Sequence, residues 1–222
     1  MATKFFAHTG KLQDDKSDWQ SIREHVENVA HGAAERATSL GPERAAEAHL
    51  AGLLHDAGKY SKQFQRRLEG KASGVNHWSV GAQIALKQRA VLAALAVQGH
   101  HVGLPLYAEL SQLAEAAKNP ERAWNIDEGV TAILAAYEAD GVSIPACPST
   151  RWKELFANKS RAALAARMVL SALCDADFID TEQHFAGGES PRPVVPELEP
   201  ERALQLVMDE IRTRVEATNA SA

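Results

Sequence analysis

An adjacent His55-Asp56 pair closes the apolar run AHLAGLLHDAGKYSKQFQ, and no other feature limits so strongly what this chain can fold into. Upstream lies His25 in WQSIREHVENVA. Downstream lie His77 in VNHWSVGA, His100-His101 in VQGHHVGLP and Asp177 in LCDADFIDTE. Imidazole and carboxylate are the side chains that best hold borderline divalent metals at neutral pH. Most of these residues are flanked by apolar helical sequence, where an unpaired carboxylate is costly. The pattern predicts one buried metal centre built from several helices.

The periodicity is almost entirely helical. Ser17 or Asp18 is suited to cap a helix running from about Trp19 toward Leu40, which Gly41-Pro42 stops. Its apolar stripe is Ile22, Val26, Val29 and Ala33. A second helix begins after Pro42, carries Ala45, Leu50, Leu53 and Leu54 to the His-Asp pair, and has Gly58 at its end. Further helices are expected in SKQFQRRLEG, from Ser79 to Lys87, in AVLAALAVQGHH, in LYAELSQLAEAAK and in DEGVTAILAAYEA. A long apolar helix is expected over about Glu154 to Ile179, then a Gly/Pro-rich linker over 186–200 and an amphipathic C-terminal helix over 200–218. Strand-like alternation is missing apart from RPVV, so the expected fold is all-α, a helical bundle around a metal site. A single domain over 1–222 is expected, with its metal-binding core at about 19–182.

Composition enters mainly by exclusion. The net charge of −5 carries no nucleic-acid signature, so any such contact rests on a local patch or on bound metal. No run reaches the ~18 apolar residues of a membrane span, and the N-terminus has no signal-peptide core. A cytoplasmic location is the expectation. Cys147 and Cys174 form no CxxC and read as ordinary reduced thiols.

Adjacent residues on a helix diverge by about 100 degrees, so His55-Asp56 and His100-His101, each at a helix end, can serve different ions. His31 lies roughly 120 degrees round its helix from His25 and reads as a structural or surface residue. His8, His49 and His184 have no comparable context and are left outside the set. Five histidines and two aspartates exceed what one tetrahedral zinc takes. They suit two adjacent ions with open positions, ~3.5–4 Å apart, a spacing fit for in-line attack on phosphorus. Asp56 is the natural bridging carboxylate. The histidine-rich set favours Mn, Fe, Co or Ni over Mg, which prefers oxygen ligands. Lys59, one helical turn after His55, is placed to bring a cation to the scissile phosphate; a solvated lysine is the plainer alternative.

The ordered set AHTG, WQSIREHVENVA, LLHDAGKYSKQFQ, NHWSVGA, GHHVGL and DADFIDTE resembles the HD-superfamily nuclease domain of the type I CRISPR-associated nuclease-helicase. The motifs run from His8 to about Glu182. HDxGK alone is common to many HD phosphohydrolases; the other elements discriminate more. The resemblance implies an all-α HD fold and a metal-dependent nuclease, both endo- and exonucleolytic, acting on single-stranded DNA exposed by an RNA-guided surveillance complex. It implies that His25, His55, Asp56 and Asp177 hold one ion, that Asp56 bridges to a second, and that His77, His100 and His101 complete the second. Lys59 matches the family's lysine and would face the phosphate. Asp175 and Asp180 are rivals for the last position; Asp177 is preferred because the family's carboxylate follows Ala and precedes a bulky residue, as in ADF.

There is no GxxxxGK[ST] phosphate loop in the 222 residues, so the helicase motor is expected on a separate polypeptide or in the rest of a longer chain. Lys59, Lys62, Arg66, Arg67 and Lys71 cluster just beyond the HD pair, where they are placed to attract a phosphate backbone, and Trp78 is placed to stack a base; a solvated helix face for Arg66-Arg67 and core packing for Trp78 are the plainer alternatives. The competing expectation is an HD phosphohydrolase acting on nucleotides or cyclic dinucleotides.

Overall fold

A computed structural model describes residues 4–12, 15–147, 157–187 and 199–220. The chain divides into one unit reaching Glu189 and a second from Ser190 onward. Among the described residues of the first unit the α-helices are α1 (Ile22–Arg36), α2 (Pro42–Leu54), α3 (Lys62–Leu68), α4 (Ser79–Lys87), α5 (Val91–Gly99), α6 (Tyr107–Ala116), α7 (Pro120–Trp124), α8 (Val130–Ala139) and α9 (Lys159–Ala186). The second unit contains α10 (Pro200–Ala220), whose Leu204, Met208, Ile211 and Val215 recur along one face and are exposed. Among the described residues no helix is long and apolar enough to cross a membrane.

The mostly helical fold is as expected, with one addition. Phe6–His8 (β1) and Gln20–Ser21 (β2) form a short antiparallel pair, with Phe6 opposite Ser21 and His8 opposite Gln20. The expected helix start at Trp19 is therefore displaced: Ser21 caps α1 by accepting from the Glu24 N–H, and Gln20 is spent on the ladder. Asp15 and Ser17 instead build a separate 3₁₀ turn over Lys16–Asp18. Likewise α2 ends at Leu54, before Gly58, and a 3₁₀ turn over Ala57–Tyr60 follows. LYAELSQLAEAAK forms α6, and α7 starts afresh at Pro120 under an Asn119 cap. The long helix α9 is shifted toward the C-terminus, starting at an Asn158 cap and ending at Gly187 in the left-handed region. Most of the expected 186–200 linker, including RPVV, lies outside the described residues.

The core lies where α1 and α2 cross, with α5 and α9 packed on α2 and α4 on α5. The crossing is close because the facing residues are small. A Cβ on Gly52 would lie 2.4 Å from Ala30 Cα, so only glycine fits there. Ile22, Leu50, Leu54, Leu92, Ile133 and Leu173 are fully buried around this crossing, each contributing about 1.5–3 kcal/mol of transfer free energy. Every element that carries a site residue packs against this core.

Candidate metal centre

His25 sits in the first turns of α1, on the face that also buries Ile22, Val26 and Val29. Its Nδ1 lies 2.7 Å from Asp180 Oδ2 on α9. A carboxylate only accepts, so Nδ1 carries a proton and Nε2 is the nitrogen turned to the interior. His55 caps the end of α2, and its Nδ1 donates to the Gly52 carbonyl at 2.8 Å. Tyr137 holds the same turn, donating to the Leu53 carbonyl at 2.7 Å. His100 repeats the device at the end of α5, donating from Nδ1 to the Val97 carbonyl at 2.7 Å. Three helix-borne rings thus have their Nδ1–H fixed outward by an oxygen and their Nε2 turned inward.

The inward nitrogens of His25 and His55 converge. His25 Nε2 and His55 Nε2 are 3.1 Å apart, and Asp177 Oδ1 lies 3.4 Å from the first and 3.5 Å from the second. Asp56 follows His55 directly. Its Oδ2 is 3.1 Å from His25 Nε2 and 3.3 Å from His55 Nε2, while its Oδ1 is 3.4 Å from His77 Nε2. His77 Nε2 is in turn 2.8 Å from His101 Nε2. Donor atoms of Asp56, His77, His100 and His101 form one group within 4.8 Å of one another, and those of His25, His55 and Asp177 form a second. His77 is brought in by a backbone contact: the Gly58 N–H donates to the His77 carbonyl at 2.7 Å. A Cβ on Gly58 would lie 2.6 Å from His77 Cα, which is the physical reason for a glycine after the HD pair.

The electrostatics demand positive charge. Burial pushes the His25 and His55 imidazoliums down, but the carboxylates outweigh it. Asp177, Asp180 and Asp56 raise His25 to about 9, and Asp56 and Asp177 raise His55 to about 10. Burial also opposes ionisation of Asp56, and Lys59 and His55 reverse that, holding it well below the carboxylate range. The other half of the site behaves oppositely. Burial lowers His77 and His100 to about 3, leaving neutral imidazoles of the kind a metal needs. Among the described residues His100 Nε2 and His77 Nδ1 are buried without a hydrogen-bond partner. Buried orphan nitrogens beside paired carboxylates fit divalent cations better than they fit a packed core.

The sequence pattern of the HD domain family matches residues 22–135, just over half of the chain. The chain belongs to the HD domain family. HD domains are metal-dependent phosphohydrolases, and the clustered histidines and aspartates here suit divalent metal. The HD match runs from α1 into α8 and so contains all the clustered histidines named above with Asp56 and Lys59; Asp177, on α9, lies beyond it. No curated protein matches the chain.

The seven residues expected to converge do share one region of this HD domain. Lys59 is buried, with Nζ 2.5 Å from Asp56 Oδ2. Of the three candidate aspartates, Asp177 faces the cluster, Asp175 turns outward to pair with Arg36, and Asp180 stands behind His25. His31 is exposed. Trp78 packs edge-on against His77 and His101, with ring centroids 5.1 and 4.9 Å away. Sequence reasoning missed His8, whose ring stands 4.6 Å from that of His25 and whose Nε2 lies 3.1 Å from Lys59 Nζ. The AHTG element carried the signal, but it has no helical period to mark it.

Proposed function

We propose that this HD domain is a nuclease that hydrolyses phosphodiesters of single-stranded DNA in type I CRISPR interference, acting with a helicase and an RNA-guided surveillance complex that expose the strand. The carrying observation is the Asp56 carboxylate, which turns Oδ2 toward His25 and His55 and Oδ1 toward His77. A carboxylate that faces two histidine groups through its two oxygens is suited to a pair of ions. His25, His55, Asp56 and Asp177 would hold one, and Asp56, His77, His100 and His101 the other. Mn, Fe, Co or Ni fits this imidazole-rich set better than Mg or Zn. Bound there, such ions supply Lewis-acid polarisation of a phosphoryl oxygen. Lys59 would neutralise the phosphate, and its burial beside Asp56 fixes where that charge can act.

The surroundings favour a polymer over a small nucleotide. His101, at the exposed mouth, shares an open cavity of about 380 Å³ with His77, Trp78 and Arg67. Arg67 also lines a neighbouring cavity of about 490 Å³ with Thr9, Lys16, Trp19 and Lys71. Lys16 and Lys71 share one counter-charge, Glu69, at 2.7 and 2.9 Å, which with Arg67 leaves a net cationic path suited to successive phosphates, and the aromatic edges suit unstacked bases. None of these groups is arranged to read base edges, so weak sequence selectivity follows.

The test is to incubate Mn-loaded protein with closed circular single-stranded DNA and, separately, with nucleoside phosphates and cyclic dinucleotides. Linearised and then degraded circles are expected. Intact circles alongside hydrolysed small nucleotides would overturn the assignment.

A further inference from the structure

The β1–β2 pair is too short to stabilise a fold by itself, yet it sets His8 directly opposite Gln20. Their side chains meet: His8 Nδ1 and Gln20 Oε1 are 2.7 Å apart. Gln20 Nε2 continues to Asp180 Oδ2 at 2.7 Å, and the same oxygen accepts from His25 Nδ1. At the other end His8 Nε2 lies 3.1 Å from Lys59 Nζ.

The polarity of this chain is fixed at both ends. Asp180 can only accept, so Gln20 turns its amide nitrogen there and its carbonyl oxygen to His8. His8 must then donate from Nδ1, which leaves Nε2 as a bare acceptor. Lys59 can only donate, and its ammonium meets that acceptor. Gln65 locks the backbone of the two segments together. Its amide donates to the Phe6 carbonyl at 3.0 Å and the Lys59 carbonyl at 2.8 Å, and its oxygen accepts the Phe6 N–H at 3.1 Å.

Without His8, Lys59 has one strong side-chain partner, Asp56 Oδ2, at the end of a flexible four-carbon stem. With His8, two of its three donors are committed in fixed directions and the third is left for an incoming anion. His8 is also within reach of a donor group with His25 and Asp56. The Lys59 ammonium already occupies the acceptor side of its ring, so ligation there would require expelling a paired cation.

We propose that His8 and Gln20 are positioning residues for Lys59, forming with Asp180 a hydrogen-bonded strap that orients the lysine ammonium and the His25 ring from one strand pair. The nuclease reading is needed here only to give Lys59 a phosphate to face.

Three measurements on the full chain test it. In metal-free wild-type protein, long-range 1H–15N spectra of the imidazoles should show His8 as the Nδ1–H tautomer, and Gln20→Leu should abolish that signature. With Mn-loaded protein and bis(p-nitrophenyl) phosphate, His8→Ala should lower kcat about 10- to 100-fold while KM and Mn content stay within about two-fold of wild type. His8→Gln, whose amide oxygen reaches the Nε2 position, should recover most of the rate. The double variant His8→Ala/Lys59→Ala should be no slower than Lys59→Ala alone, because a strap has nothing left to hold. Additive losses, Mn released by His8→Ala, or an Nε2–H tautomer for His8 would each overturn the proposal. The tautomer decides by itself if the diester is not turned over, and failure to cut DNA would remove the nuclease reading while leaving that spectrum standing.

Discussion

Asp180 Oδ2 accepts the Nδ1–H of His25 at 2.7 Å from the far side of the ring, so one carboxylate fixes which nitrogen the α1 histidine offers to the cluster. Its other oxygen accepts from Asn28 at 2.7 Å, which keeps the carboxylate from rotating away. A partner of this kind sets the orientation and basicity of a ligand without touching the ion. Asp180→Ala is expected to weaken Mn binding about 10- to 100-fold by titration calorimetry. Asp175→Ala is the control. That residue pairs with Arg36 at the surface, and its loss should leave Mn affinity unchanged and cost under about 1 kcal/mol of stability. Equal effects from the two variants would mean that the His25 tautomer does not matter.

Asp56 makes a second, sharper prediction. Its two oxygens face separate histidine groups, so Asp56→Asn, which keeps the volume and removes the charge, should weaken both metal positions together. Hydrolysis should be abolished and Mn content should fall below one equivalent by mass spectrometry. A variant that still holds two equivalents at wild-type affinity would show that the two donor groups do not share this carboxylate.

The parts legible in the sequence are those with a local physical signature. His55-Asp56 and His100-His101 were visible because each closes an apolar helix, and an apolar stripe with a period of 3.6 is the strongest signal a sequence gives. What the sequence does not reveal is the pairing of residues distant along the chain. His25 and Asp180 are 155 positions apart, and nothing near either one announces the other. His8 and Gln20 lie on strands of three and two residues, too short for alternation to register. The start of α1 was misplaced because DDKSDWQS offers several Asp and Ser caps in succession. Only the pairing of Gln20 with His8 selects Ser21. Asp177 and Asp180 are three residues apart and share a face of α9, whereas Asp175 points roughly 200 degrees away from Asp177. The helical wheel therefore divides DADFID correctly, once it is known which face meets α1.

Gly58 tests how the loop bearing His77 is held. The 2.6 Å approach that a Cβ would make is to the His77 main chain, which cannot swing aside as a flexible side chain would. Gly58→Ala should cost about 1–3 kcal/mol in urea unfolding by forcing these backbones apart. The displaced His77 should also weaken the group it forms with His100 and His101, leaving His25, His55 and Asp177 nearly untouched. A Mn titration should then show one weakened and one unchanged phase. Two unchanged phases would mean that the loop is held in place by other contacts.

Glu47 predicts a pH dependence outside the cluster. It is fully buried in α2, and its Oε2 accepts the Ala93 N–H at 3.0 Å near the start of α5. Burial raises its carboxyl from 4.5 to about 7, although the hydrogen bonds from Ala93 and Leu92 pull the other way. The folded protein therefore binds this proton more tightly than the unfolded chain does. The Glu47 contribution to folding stability is therefore greatest below pH 4.5, declines as pH rises toward about 7, and is level above it. The decline from this one group is on the order of 3 kcal/mol. Glu47→Gln keeps an oxygen for the Ala93 N–H and removes the ionisation. It should be more stable than wild type at pH 8, with the difference shrinking steadily by pH 5, in urea unfolding of the metal-free proteins. A difference that stays constant across that range would show that Glu47 is ionised in the folded core at every pH tested, and that the α5 amides stabilise the carboxylate more than burial penalises it.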